Sequence, residues 1–81
     1  MSAREVMMPR YSISMEDAVL TRWHVRPGDT IRTGAALAEI EADKVTVDLE
    51  SPCDGTVARL VVDEGDVCEV GQVLCVTEEA G

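Results

Sequence analysis

Few side chains in this 81-residue chain could do chemistry, and one is alone of its kind. Lys44, within "AEIEADKVTVDLES", is the single lysine; the other six cationic side chains are arginines. A lysine amine can be acylated or form a Schiff base, whereas an arginine stays protonated and serves as a hydrogen-bonding cation. One amine offers one attachment point. The remaining candidates are weaker. Cys53, Cys68 and Cys75 are odd in number and lack CxxC spacing, so neither a disulfide framework nor a zinc site is indicated, and reduced thiols are expected. His24 has no second ligand nearby in the chain. No Ser/His/Asp arrangement is legible. The many carboxylates alternate along strand-like runs and read as solvated charges. Met7, Met8 and Met15 read as packing beneath the loop "RYSIS".

The elements around Lys44 must hold it. Before it, Ala38, Ile40 and Ala42 alternate with Glu39, Glu41 and Asp43; after it, Val45, Val47 and Leu49 alternate with Thr46, Asp48 and Glu50. The inward positions change parity between residues 43 and 44. A single strand cannot do this, but a hairpin turning at Asp43 and Lys44 can. Ala42 then faces Val45, Ile40 faces Val47 and Ala38 faces Leu49. The usual two-residue tip is Asn-Gly or Asp-Gly. Because lysine tolerates positive φ poorly, we expect a type I turn over Ala42 to Val45, with Lys44 fully exposed.

A second pattern organises the whole chain. "RWHVRPGDTIRTGAALAEIE" and "RLVVDEGDVCEVGQVLCVTE" are related without a gap at an offset of 37 residues. Arg22, Val25, Gly28, Asp29, Gly34, Leu37 and Glu41 recur as Arg59, Val62, Gly65, Asp66, Gly71, Leu74 and Glu78. Two copies indicate a pseudo-twofold domain whose halves bury each other's apolar faces. In each half a strand ("AVLTRWHV", "GTVARLVV") enters a turn ("PGD", "EGD"), then a short strand ("TIR", "VCE"), then a closing strand ("ALAEIE", "VLCVTE"). Pro27 and Gly28 suit the central positions of a type II turn. No stretch has a helical period. The fold class is therefore all-β, a sandwich or flattened barrel. Cys68 aligns with Ile31 and Cys75 with Ala38, so both are expected buried. Cys53, in "SPCDG", is expected to be more exposed. Trp23 reads as core or half-buried packing. Lys44 aligns with Gly81, which puts the termini at the end opposite the lysine.

Composition narrows the partners. Hydrophobic residues make up 46% of the chain, enough for a core in a single domain, with residues 1–81 taken as one unit. The net charge of -9 disfavours nucleic acid and anionic membranes and suits partners with basic surfaces. No run is long enough to span a bilayer, and "MSAREVMM" is no signal peptide. We expect a soluble, monomeric domain, either stand-alone or a piece of a longer chain.

These residues resemble a known family. "EIEADKVTVDLES" is similar to the lipoylation motif of biotinyl/lipoyl carrier domains. "MPRYSISMEDAVLTRWHVRPGDTIRTGAALAEIEADK" resembles the N-terminal lipoyl domain of 2-oxo acid dehydrogenase acyltransferases. The resemblance covers residues 6–78. It implies a flattened barrel of two four-stranded sheets and lipoic acid in amide linkage to Lys44. It implies recognition by a lipoate ligase or lipoyl transferase through Glu41, Asp43 and Val45, with Gly28 and Gly55 also bearing on modification. Ala42 stands where the family has Thr or Ser. Biotin carriers place Met on both sides of the lysine; here Asp43 and Val45 stand instead, although a biotinyl domain or an unmodified interaction module are the alternatives. The implied role is a non-catalytic carrier. It would take acyl groups from a thiamine-dependent decarboxylating component to an acyltransferase core, with reoxidation by a dihydrolipoyl dehydrogenase. That places it in the bacterial cytoplasm or the mitochondrial matrix. "TRWHVRPGD" is similar to 2-oxoglutarate systems, whereas "MPRYSISMEDAVL" is similar to pyruvate or acetoin systems.

Overall fold

The computed structural model describes residues 2–80. Eight strands run in the order β1 (Ser2–Met7), β2 (Asp17–Trp23), β3 (Thr30–Ile31), β4 (Ala36–Ala42), β5 (Val45–Glu50), β6 (Gly55–Leu60), β7 (Val67–Glu69) and β8 (Val73–Glu79). They form two four-stranded antiparallel sheets, ordered β1-β8-β6-β3 and β5-β4-β2-β7. The two orders are one pattern written twice. β2, β3 and β4 map onto β6, β7 and β8 at the 37-residue offset, while β5 flanks β4 as β1 flanks β8. Their irregularities repeat as well. The pairing of β2 with β4 shifts around Thr21, and that of β6 with β8 shifts around its counterpart Ala58. The edge pairings shift at Leu37 and at Leu74. Those shifts let Leu37 and Ala38, and Leu74 and Cys75, all be buried although each pair is adjacent in sequence.

Each half grips the other through its glycine turn. Arg26 to Asp29 closes with a 3.0 Å bond from the Asp29 N–H to the Arg26 carbonyl, and Gly28 sits at φ 96°. This is the type II geometry that Pro27 and Gly28 indicate. The turn then spans the two halves: Gly28 N–H donates to the Val57 carbonyl at 2.8 Å, and Val57 N–H donates to the Asp29 carbonyl at 2.9 Å. The Asp63 to Asp66 turn does the same to Leu20, at 2.7 and 3.0 Å. Between the sheets lie Leu20, Leu37, Ile40, Val57 and Leu74, essentially inaccessible to solvent. Trp23 is half-buried against this core, its indole N–H donating to the Val62 carbonyl at 2.9 Å.

Two local expectations, for Cys53 and for Met7, need correction. Cys53 is only 3% exposed, not at the surface. Its loop folds inward because Ser51 Oγ donates to the Cys53 carbonyl at 2.7 Å, which sets the thiol 3.6 Å from Thr77 Oγ1. Cys68 and Cys75 are buried as expected, and burial pushes the Cys75 thiol up to about 11. Met7 is half-exposed, while Met8 and Met15 are buried. Strand β1 has no counterpart in the alternation patterns, because Val6 is its only buried residue. The edge of β8 recruits it through backbone pairing.

Two predictions follow from this packing. A Cβ on Gly55 would collide with the backbone carbonyl of Glu78, whereas one on Gly28 would meet open space and only the strain of a positive φ. In urea unfolding, Gly55→Ala should therefore lose about 3 kcal/mol by overpacking and Gly28→Ala about 1 kcal/mol by backbone strain. Asp54 accepts bonds from the Thr33 N–H at 2.7 Å and the Thr33 hydroxyl at 3.0 Å, which hold its carboxyl below the ordinary value. A lowered folded pKa stabilises the fold above the unfolded value of about 3.9 and loses that contribution as pH falls through the folded value. Wild type should exceed Asp54→Asn in stability at neutral pH, and the difference should shrink on acidification below about pH 4.

Candidate functional site

From Ala38 onward the β4–β5 hairpin is paired without interruption to its tip, with Ala38 opposite Leu49, Ile40 opposite Val47 and Ala42 opposite Val45. Only Asp43 and Lys44 remain for the turn. Both are left-handed, at φ 54° and 66°. This is the pattern of a type I′ turn, not the type I turn expected from the residue types. The reason lies in the strands. A two-residue connection must match their right-handed twist, and type I′ does so whereas type I splays them. Asp43 tolerates the conformation better than most residues. Lys44 has no such tolerance, and the left-handed well costs it about 1–2 kcal/mol.

Lys44 is exposed, and its ammonium has no ion-pair partner among the described residues, where Arg4 to Glu79 is the salt bridge. The tip also lies far from the described chain ends. The opposite end of the hairpin is Ala36 with Glu50. From there Ser51 N–H bonds to the Ala35 carbonyl, the chain continues to Asp54, and the Asp54 carbonyl accepts the Ala80 N–H at 2.9 Å. Ser2 pairs with Glu79 at that same end.

The other residues singled out by sequence divide into two groups. Glu41, Asp43 and Val45 surround the tip. Glu41 is exposed opposite Thr46, and Glu39 faces Asp48, so the outer face carries a carboxylate rim. Thr21 Oγ1 donates to Glu39 at 3.1 Å. Gly28 and Gly55 lie elsewhere. Gly55 pairs with Glu79 at the end where Ser2 and Ala80 lie, and Gly28 is bonded to Val57 of the same strand. Any effect they have on Lys44 passes through the fold.

Val45 shares the inward face, as the alternation indicates, but the core thins toward the tip. Leu49 is buried, Val47 half-buried and Val45 56% exposed. A neighbour that the hairpin pattern does not signal stands there. The loop between β1 and β2 folds over the tip and brings Tyr11 beside Val45. Arg10 Nη1 donates to the carbonyls of Ile13 and Met15, both at 3.0 Å, and Tyr11 N–H donates to Met15 Sδ at 3.2 Å. The Tyr11 hydroxyl donates to the Asp48 carbonyl at 3.4 Å. Burial, and next Glu50 and Asp48, raise the Tyr11 pKa above its ordinary value. Ile13 stands 95% exposed at the crest of this loop.

An all-β body presenting its single lysine on a strained tip, away from the described chain ends, has the construction of a carrier scaffold. The chain belongs to the biotin/lipoyl family, whose family model, described as "Biotin-requiring enzyme", matches residues 4–77. It is 42% identical over 78 residues to the dihydrolipoyllysine-residue acetyltransferase component of the Zymomonas mobilis pyruvate dehydrogenase complex, covering 95% of this chain and 18% of that protein. It is 32% identical over its full length to the lipoamide acyltransferase component of the Bacillus subtilis branched-chain alpha-keto acid dehydrogenase complex, where it covers 19% of the relative. The chain thus spans less than a fifth of these two relatives. Among solved structures, the lipoyl domain of the Azotobacter vinelandii 2-oxoglutarate dehydrogenase complex matches with a TM-score of 0.77 and 30% identity, over 95% of this chain and 98% of that one. A single-chain, multi-domain long-chain acyl-CoA carboxylase matches at a TM-score of 0.80 and 20% identity, covering 96% of this chain and 7% of that one, which is a likeness of fold. The chain is a lipoyl-type carrier domain.

A strained tip predicts its own relief. Lys44→Gly should raise stability in urea by about 0.5–1 kcal/mol, because glycine adopts the left-handed well without steric cost. No gain, or a loss, would mean that Lys44 is not held at positive φ in solution.

Proposed function

We propose that residues 1–81 form one carrier domain, with its core at 6–78, and that Lys44 carries a lipoyl group in amide linkage. The domain would serve the acyltransferase component of a 2-oxo acid dehydrogenase complex. The observation that carries this reading is the unpaired, exposed Lys44 amine on a two-residue tip, in a chain of this family. The residues fit the group. The Lys44 ammonium supports no ion pair among the described residues, so its conversion to a neutral amide removes nothing the fold uses. When bound, lipoic acid supplies a dithiolane able to take up an acyl group and two electrons.

The chain's own residues position that group and decide who meets it. The hairpin holds the attachment point rigid while the side chain beyond it is free to move. Tethering raises the local concentration of the carried group at each partner's active site without any new contact. Glu41 and Asp43 are the exposed carboxylates flanking the amine, and Val45 is the apolar neighbour; we assign these three to recognition by a lipoate ligase or lipoyl transferase. Gly28 and Gly55 act at a distance, by keeping the turn and the β6–β8 contact that set the barrel. Once the lysine charge is gone, Glu39, Glu41, Asp43 and Asp48 leave the hairpin with carboxylates as its only charged side chains. Partners with basic rims are then favoured in encounter and register. We take these partners to be a thiamine-dependent decarboxylating component, the acyltransferase core and a dihydrolipoyl dehydrogenase, in a cytoplasm or mitochondrial matrix. Among the described residues, no helix is long and apolar enough to cross a membrane. The relatives' named complexes differ in their oxo acid, so the proposed substrate class is 2-oxo acids in general.

Coexpression with a lipoate ligase and, separately, with a biotin ligase tests the attachment by intact mass and peptide mapping. We expect a lipoyl adduct on Lys44 alone, absent in Lys44→Arg, with the unfolding midpoint of that variant nearly unchanged. A biotin adduct on Lys44, or no adduct where a known lipoyl domain is modified in parallel, sinks this reading.

A further inference from the structure

We infer that the apolar hollow beside the tip is a resting site for the dithiolane end of the group carried on Lys44. This rests on the attachment proposed above. The hollow holds about 250 Å³ and is lined by Tyr11, Ser12, Ala42, Asp43, Val45 and Val47. Two of its lining residues, Asp43 and Val45, are the chain neighbours of Lys44, so an arm anchored there needs only to fold back. Its walls are apolar where the hairpin's own alternation would have buried them. Val45 is 56% exposed and Tyr11 38% exposed. The far wall is preformed, because the Tyr11 hydroxyl is bonded to Asp48 and Arg10 braces the loop behind it.

Size and chemistry select this occupant. A cavity of about 150 Å³ lined by aliphatic and aromatic side chains takes a benzene ring, so the hollow has room for a five-membered sulfur ring with part of its methylene chain. Sulfur also packs favourably against an aromatic edge, and Tyr11 offers one. The alternative on the other side of Asp43 is a hollow of about 240 Å³ lined by Ser14, Met15, Glu16, Asp17 and Asp43. Three carboxylates border it, so a neutral, apolar ring partitions to the Tyr11 side. Because the hollow is open, docking is a reversible preference, strengthened by the tether, which keeps the ring at high effective concentration. Docked, the ring is shielded by Tyr11 and Val45. Released, it is free for a partner's active site.

The test uses the intact chain after intact mass has verified its lipoylation. Nuclear Overhauser contacts are sought between the arm and the Tyr11 ring or the Val45 and Val47 methyls, with amide shifts recorded before and after modification. The expected result is contacts from ring and distal methylene protons to Tyr11 and Val47, with shift changes centred on Ser12, Val45 and Val47. Tyr11→Ala and Val47→Thr, each checked for folding and modification, should lose them. Reduction of the carried disulfide by a small phosphine should run faster in Tyr11→Ala, roughly two-fold if the ring spends half its time docked. A verified lipoyl adduct with no such contacts and equal reduction rates overturns this inference and leaves the attachment standing. Shift changes at these residues that need an added partner protein rather than lipoylation assign the hollow to that partner and also overturn it. Absence of any adduct removes both.

Discussion

The reciprocal grip of two glycine turns is the constraint on which the rest of this molecule depends. Each turn belongs to one half of the chain and hydrogen-bonds the backbone of a central strand in the other: Gly28 and Asp29 hold Val57, and Gly65 and Asp66 hold Leu20. Leu20 and Val57 are buried between the sheets. The turns therefore satisfy backbone groups that would otherwise be orphaned at the sheet margins, where an unmet polar group is costly. Neither half can do this alone. The shared pattern of bulges then bends both sheets alike, so that leucine and its small neighbour can both turn inward at Leu37 with Ala38 and at Leu74 with Cys75.

Symmetry of this kind produces two equivalent ends, and the chain uses them differently. At one end the β4–β5 hairpin closes on Asp43 and Lys44. At the other lie the first and last described residues, where Ser2 pairs with Glu79 and Arg4 is bonded to Glu79 at 2.9 Å. A carrier domain joined to other units through its ends would thus hold its amine outward. The tip conformation carries a local cost, since neither Asp43 nor Lys44 is glycine. The paired strands behind it over-determine the turn, and strain of this sort persists where function requires a particular side chain.

Much of this was legible from residue order. The parity change between Ala42 and Val45 located the hairpin, and the 37-residue repeat located the turns, the central strands and the buried positions of Cys68 and Cys75. Those inferences worked because period-two alternation and a repeat are direct consequences of packing two faces of a sheet. They failed where burial depends on contacts between distant segments. Cys53 reads as a loop residue, but Ser51 folds its backbone inward onto Thr77. Strand β1 has no alternation to detect because it exists by pairing with β8. The turn type was misjudged because preference was weighed residue by residue, whereas strand twist selects it.

Sequence alone determined that this is an all-β, two-copy fold with one amine at a hairpin apex, because pattern period and residue count require no third dimension. Tertiary structure alone decided what surrounds that amine. It brought Tyr11 to Val45, left Val45 uncovered, and sent Gly28 and Gly55 to the opposite end. The physical reason is that alternation reports which face a side chain takes. It does not report how far the core extends along that face, nor which loop folds over its edge.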